Sequence, residues 1–157
     1  MLIKGILIED FVNYKYPCMT IEFPFCDFKC DKENDTHLCQ NYALKNEKNI
    51  NLPNDRIVDM YINNSITKAI VMQGLEPFYE KEELYKLIED FRKATSDTIV
   101  IYTGYTEEEL KSEIPKLKEF ENIIVKFGRY VPNQDTHYDK ILGVNLVSDN
   151  QYAKIIV

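Results

Sequence analysis

Apolar and polar positions along the chain switch repeatedly between a period of two and a period near 3.6. Residues 2–8, Leu-Ile-Lys-Gly-Ile-Leu-Ile, predict a first strand, and Met19–Phe23 alternates as a second strand. Residues 24–51 are irregular and polar, long for a structureless loop, and such a loop is usually functional or disordered. After Pro53-Asn54-Asp55, the spacing of Ile57, Val58, Tyr61 and Ile62 predicts a helix with one apolar face. Lys68–Gln73 reads as a short buried strand ending at Gly74. Leu84, Leu87, Ile88 and Phe91 then recur at i, i+3, i+4 and i+7, the stripe of an amphipathic helix. Thr98–Thr103 is the next strand, ending at Gly104. Thr106 and Glu109 form a capping box for a further helix with Leu110, Ile114 and Leu117 inward, which Pro115 shortens or kinks. Asn122–Phe127, followed by Gly128, predicts another strand, and Ile141–Val147 and Tyr152–Val157 two last extended segments.

Strands alternating with helices imply an α/β fold with a mainly parallel sheet and right-handed crossovers. No repeat, low-complexity tract or linker interrupts the pattern, so residues 1–157 read as a single domain. The units are too few for a closed eight-fold barrel, and an open, curved sheet fits better. Ligands of such sheets gather at the carboxyl ends of the strands. Every unusual loop of this chain follows a predicted strand: the cysteine stretch, Gly74-Leu75-Glu76-Pro77, Thr103-Gly104-Tyr105 and Phe127-Gly128. These loops are therefore expected to share one site.

Composition narrows the chemistry. Apolar residues make up 45% and charged residues 29% of the chain, as in ordinary globular proteins. A formal charge of −7 argues against nucleic acid as a partner. The longest apolar runs are far too short for a bilayer, and Met1–Gly5 has no signal-peptide pattern, so a cytoplasmic protein is expected. Three of the four cysteines, Cys26, Cys30 and Cys39, fall within fourteen residues, which favours metal or redox chemistry over disulfides. With His37 they would complete a Cys₃His zinc set; without it they are three thiolates for an iron–sulfur cluster. A soft cluster iron prefers thiolate, so Cys39 is read as the third ligand and His37 as its neighbour. Cys18 reads as a small buried hydrophobe, and Asp27 and Asp31 as solvated residues. The eight residues between Cys30 and Cys39 add on the order of 1 kcal/mol of closure entropy over a two-residue gap. Metal–thiolate binding, on the order of 10 kcal/mol, outweighs it.

Cys26-Asp27-Phe28-Lys29-Cys30 resembles the opening of the radical S-adenosylmethionine (SAM) motif, in which three cysteines hold three irons of a [4Fe–4S] cluster. The family's third cysteine would fall at position 33, which is Glu33. Gly74-Leu75-Glu76-Pro77 resembles the family's Gly-Gly-Glu-Pro motif, with Leu75 in place of the second glycine. Phe11-Val12-Asn13, Tyr102-Thr103-Gly104-Tyr105-Thr106, Phe127-Gly128-Arg129-Tyr130-Val131-Pro132 and Ser148-Asp149-Asn150-Gln151 resemble, in order, stretches of the small activating proteins of anaerobic ribonucleoside-triphosphate reductase.

The resemblance implies an open partial (β/α) barrel and an enzyme that cleaves SAM with a [4Fe–4S] cluster on Cys26, Cys30 and Cys39. It further implies cofactor contacts from Phe28, Gly74, Leu75, Glu76, Pro77, Thr103, Gly104 and Lys126, with the Glu76 carboxylate meeting the methionine ammonium. The implied partner is the large subunit of an anaerobic ribonucleotide reductase, which would acquire a glycyl radical. Reduced flavodoxin or ferredoxin would be the electron donor. The rivals are a small-molecule enzyme resembling 7-carboxy-7-deazaguanine synthase and a zinc or iron–sulfur binding module without radical chemistry. Cys18 alone cannot hold a second cluster.

Overall fold

A computed structural model describes residues 1–35 and 37–157. Its apolar runs assemble a six-stranded mixed sheet. Strands β2 (Gly5–Asp10), β3 (Cys18–Phe23), β5 (Ala69–Gly74), β6 (Thr98–Tyr102), β7 (Ile123–Phe127) and β10 (Tyr152–Ile155) lie in the order β10-β7-β6-β5-β3-β2. The four central strands are parallel, and the edge strands β2 and β10 are antiparallel to their neighbours. The sheet is open, with no closed barrel.

The first apolar run is divided. Leu2–Ile3 (β1) pairs with Ile50–Asn51 (β4), and only from Gly5 does the chain join the large sheet. The Lys4 side chain marks the break, donating to the carbonyl of Glu47 on the incoming loop. Near the C-terminus, His137–Asp139 (β8) and Val144–Leu146 (β9) form a separate hairpin. Gly143 sits in its turn at φ +73°, with Lys15 so close that a Cβ would lie 2.5 Å from the lysine Cβ.

Alternate side chains of the parallel strands face opposite ways, and both faces are covered, as parallel strands require. One face carries Met19, Ile21, Ile70, Met72, Ile99 and Ile101 against helices α2 (Asn54–Ile62) and α3 (Lys81–Ala94), which contribute Ile57, Tyr61, Leu84, Leu87, Ile88 and Phe91. The other carries Cys18, Ala69, Val71, Val100 and Ile124, covered by Tyr14 and by Leu142 and Leu146 of the hairpin. Each fully buried leucine, isoleucine or phenylalanine contributes roughly 1.5–3 kcal/mol of transfer free energy.

Two short helices complete the order: α1 (Lys29–Asn34) in the cysteine loop and α4 (Ile114–Leu117). The capping box before α4 is made, with the Thr106 N–H donating to Glu109 Oε2 at 2.8 Å and the Glu109 N–H to Thr106 Oγ1 at 3.2 Å. The residues it caps run as turns, and α4 begins only where Pro115, lacking an N–H, can occupy the first turn. Among the described residues no helix is long and apolar enough to cross a membrane.

Candidate metal centre and cofactor pocket

The carboxyl ends of the parallel strands converge on one cavity of about 340 Å³. The ends of β3 and β5 are bonded to each other, because the Leu75 N–H donates to the Phe23 carbonyl (3.1 Å) and the Glu76 N–H to that of Phe25 (2.8 Å). Gly74 makes this approach possible. Its φ is +99°, and a Cβ would lie 2.6 Å from the Phe23 nitrogen. Around the cavity stand the three thiols, the Gly74-Leu75-Glu76 turn, Thr103-Gly104 and Lys126. Two of the expected cofactor contacts fall outside this lining. Phe28 turns its ring away to pack edge-on against Tyr42 (6.1 Å) beneath the Lys45 ammonium (4.9 Å). It serves the site through its backbone N–H, which donates to Cys26 Sγ at 3.2 Å. Pro77 is buried in the first turn of the 3-10 helix that follows Glu76.

The thiols come from one strand exit and one folded loop. Cys26 follows β3, Cys30 lies on α1, and Cys39 returns from the loop to the same cavity. Burial pushes the Cys26 thiol up to about 12. The mutual influence of the other two raises the Cys30 thiol and lowers that of Cys39. His37 is turned out, its side chain 78% exposed, its ring tilted against Tyr42 at 4.9 Å and its Nδ1 3.6 Å from Asp31. Cys18 is fully buried under β2, donating to the Asp10 carbonyl at 3.4 Å. Among the described residues, no three His, Cys, Asp or Glu side chains are arranged to hold a single metal ion. With His37 turned out, the Cys₃His set is not gathered about a point. Three thiols on one cavity do suit a cubane, because each thiolate binds a different iron.

A family model for a 4Fe-4S single cluster domain matches residues 19–151. The chain belongs to the 4Fe-4S single cluster domain family. No curated protein and no solved structure matches it. The matched stretch of this iron–sulfur domain holds Cys26, Cys30 and Cys39 and runs on through the β8–β9 hairpin, whose residues Val144–Val147 wall the cavity.

Opposite charges lie buried at the floor of this iron–sulfur domain's cavity. Glu76 is 4% exposed, and its carboxylate accepts from the Gly104 N–H (2.9 Å), the Phe78 N–H (3.0 Å) and the Thr103 hydroxyl (2.8 Å). Burial nonetheless pushes its carboxyl up to about 7. Lys126 is 7% exposed, and burial holds its ammonium down to about 8 against the pull of Glu76. Among the described residues its one hydrogen bond goes to the Gly128 carbonyl at 2.9 Å, leaving two of three N–H groups for other partners. Gln151 donates to the same carbonyl at 3.2 Å, and Asn150 to that of Arg129 at 2.7 Å. The Ser-Asp-Asn-Gln turn thus shapes the loop after β7.

Other side chains at the site are legible only in three dimensions. Asp27 and Asp31, expected to be solvated, are both engaged. Asp27 accepts from the Tyr105 hydroxyl at 2.9 Å, and Asp31 from the N–H groups of Leu38 (2.8 Å) and Cys39 (2.9 Å). Arg129 joins Glu109 in a two-pronged pair, reaches Glu33 on α1 (3.3 Å), and donates to the Gly104 carbonyl (3.1 Å). Lys29 on α1 meets Glu109 as well (3.1 Å), so an ion network spans α1 and the loops after β6 and β7. Asn41 ties the end of the cysteine loop to the Gly74 carbonyl at 2.7 Å. Tyr102 fixes Phe11-Val12-Asn13 by donating to the Asn13 carbonyl at 2.7 Å. Capping-box and turn motifs signal some of these residues, but no spacing rule links Tyr105 to Asp27 across 78 positions.

Proposed function

We propose that this iron–sulfur domain is a radical SAM enzyme of the activating type, with its open sheet a partial (β/α) barrel of that kind. The observation that carries the reading is one cavity shared by three thiols, the Gly74-Leu75-Glu76 turn, a buried carboxyl and a buried amino group. Cys26, Cys30 and Cys39 would hold the [4Fe–4S] cluster. When bound and reduced, that group supplies the electron that cleaves the sulfonium of SAM.

The chain's own residues bind and orient. An ionised carboxylate has about four acceptor sites. Glu76 uses three, and the fourth suits the ammonium of the cofactor's amino-acid end. The two unused N–H groups of Lys126 suit its carboxylate. Tyr102, Tyr105, Val144 and Leu146 narrow the cavity and exclude water. At about 340 Å³ it lies near the bottom of the roughly 300–1,000 Å³ range of small-molecule sites, room for one ligand. The substrate then arrives from outside, as a glycine-bearing loop of an anaerobic ribonucleotide reductase, with reduced flavodoxin or ferredoxin as donor. The wall formed by Val144–Val147 favours a second reading, an enzyme resembling 7-carboxy-7-deazaguanine synthase that encloses a small molecule.

The test is anaerobic reconstitution with iron and sulfide, reduction, and measurement of 5′-deoxyadenosine from SAM. Mixing with the reductase should then produce a glycyl-radical doublet in electron paramagnetic resonance. Cluster-loaded protein that leaves SAM intact would sink the radical reading. Cleavage without a radical on the reductase would favour the small-molecule substrate.

A further inference from the structure

Six of the eight residues between Cys30 and Cys39 exceed the two-residue gap of the motif the chain resembles, and the geometry around Asp31 gives them an account. Asp31 directly follows Cys30 on α1. Its Oδ1 accepts from the N–H groups of both Leu38 and Cys39, at 2.8 and 2.9 Å, and its side chain is only 13% exposed. The same residue's backbone carbonyl accepts from the N–H of Asp35, a residue at φ 51° that ends α1. Asn34 closes back on the Cys30 carbonyl at 2.8 Å. One aspartate therefore holds both the end of the short helix and the returning strand of the loop. The outcome is that Cys39 is returned to the cavity that Cys30 also lines.

We propose that Asp31 is a positioning residue whose carboxylate folds the loop back, so that Cys39 returns to the cavity beside Cys30 and the wide spacing works as a short one. This rests on the reading of Cys30 and Cys39 as cluster ligands. A carboxylate taking two backbone N–H groups makes charge-assisted bonds, about twice as strong as neutral ones. A loop of this length without that closure samples many arrangements in which the two sulfurs are apart.

The pairing can be read without any metal. In a Cys18→Ala, Cys26→Ser background, the metal-free chain is equilibrated in glutathione buffers. Oxidation of the Cys30 and Cys39 thiols to a disulfide reduces one glutathione disulfide to two glutathiones, and the equilibrium gives the effective concentration of the pair. Asp31→Ala should lower that concentration on the order of 10- to 100-fold, as loss of two charge-assisted hydrogen bonds implies. Asp31→Asn, whose amide oxygen can still accept both N–H groups, should restore most of it. Whole-chain urea midpoints should move little in either variant, since the sheet does not depend on this loop. In the otherwise unsubstituted chain, Asp31→Ala should also lose iron to a chelator on the order of tenfold faster after reconstitution. Equal effective concentrations in Asp31→Ala and its parent would overturn the proposal. A chain that takes up no iron, yet shows the drop in Asp31→Ala, would overturn the cluster reading and leave the role of Asp31 standing.

Discussion

Glu76→Gln separates two effects that nearly cancel at neutral pH. The carboxylate takes three donors, two of them backbone N–H groups on opposite oxygens. An amide in its place must turn its NH₂ toward either Gly104 or Phe78, so one buried N–H loses its acceptor whichever way it lies. That costs about 1–3 kcal/mol. Against it stands the burial of the charge. The folded carboxyl is raised from 4.5 to about 7, so the folded chain holds this proton more tightly than the unfolded chain. The associated stability is fully present below pH 4.5 and lost as pH rises through 7, a change of about 2.5 kcal/mol between pH 5 and pH 8. Glutamine has no such titration. The variant should therefore be clearly less stable than the parent at pH 5 and approach it, or match it, at pH 8. Urea denaturation of the metal-free protein at pH 5, 6, 7 and 8 measures this directly. A parent–variant difference that stays flat across that range would refute the picture of a buried, desolvated carboxylate. On the cofactor reading the same variant keeps its cluster and binds SAM more weakly at pH 8, by calorimetry.

Three further outcomes are expected. Gly74→Ala forces a Cβ against the Phe23 nitrogen at φ +99° and should destabilise by about 3–5 kcal/mol, seen as a lower urea midpoint. Cys39→Ala should abolish a stable cluster, whereas His37→Ala and Cys18→Ala should keep it, judged by iron content and absorbance after anaerobic reconstitution. Arg129→Ala should cost about 1 kcal/mol at pH 7, discounted for exposure of its partner. The two-pronged pair with Arg129 depresses the Glu109 carboxyl to about 2, so that stability is present above pH 4.5 and fades as pH falls toward 2, which acid titration of both proteins would show.

The strands β5, β6 and β7 are legible as mainly apolar runs bounded by glycine or a polar turn, and β3 by its alternation of apolar and polar positions. That pattern also located the loops that meet at the cavity. The helix α1 was not readable, because Lys-Cys-Asp-Lys-Glu-Asn has no apolar stripe, and a left-handed Phe28 rather than a periodic pattern starts it. The break at Lys4 was hidden inside an apolar run whose two halves pair with different strands. The Thr106–Glu109 box is legible and is made, but the residues behind it run as turns, and the helix begins only at Ile114, with Pro115 in its first turn. At the site, Glu76 was found by motif alone. That Thr103 and Gly104 supply its partners follows from the parallel pairing of β5 and β6, which no local spacing reports.

The cysteine loop is also the crossover between two adjacent parallel strands, since β3 and β5 pair from Cys18–Ala69 to Phe23–Gly74. Its ends are tethered by main-chain bonds and by buried Met19, Ile21, Ile70 and Met72, none of which touches the thiols' cavity. In small zinc modules the metal is the fold's free energy, and removing it unfolds the chain. Here the pairing of β3 and β5 closes the loop without a metal. Loss of a cluster held by Cys26, Cys30 and Cys39 would then be a local opening of the loop, with the sheet still folded as a template for its replacement.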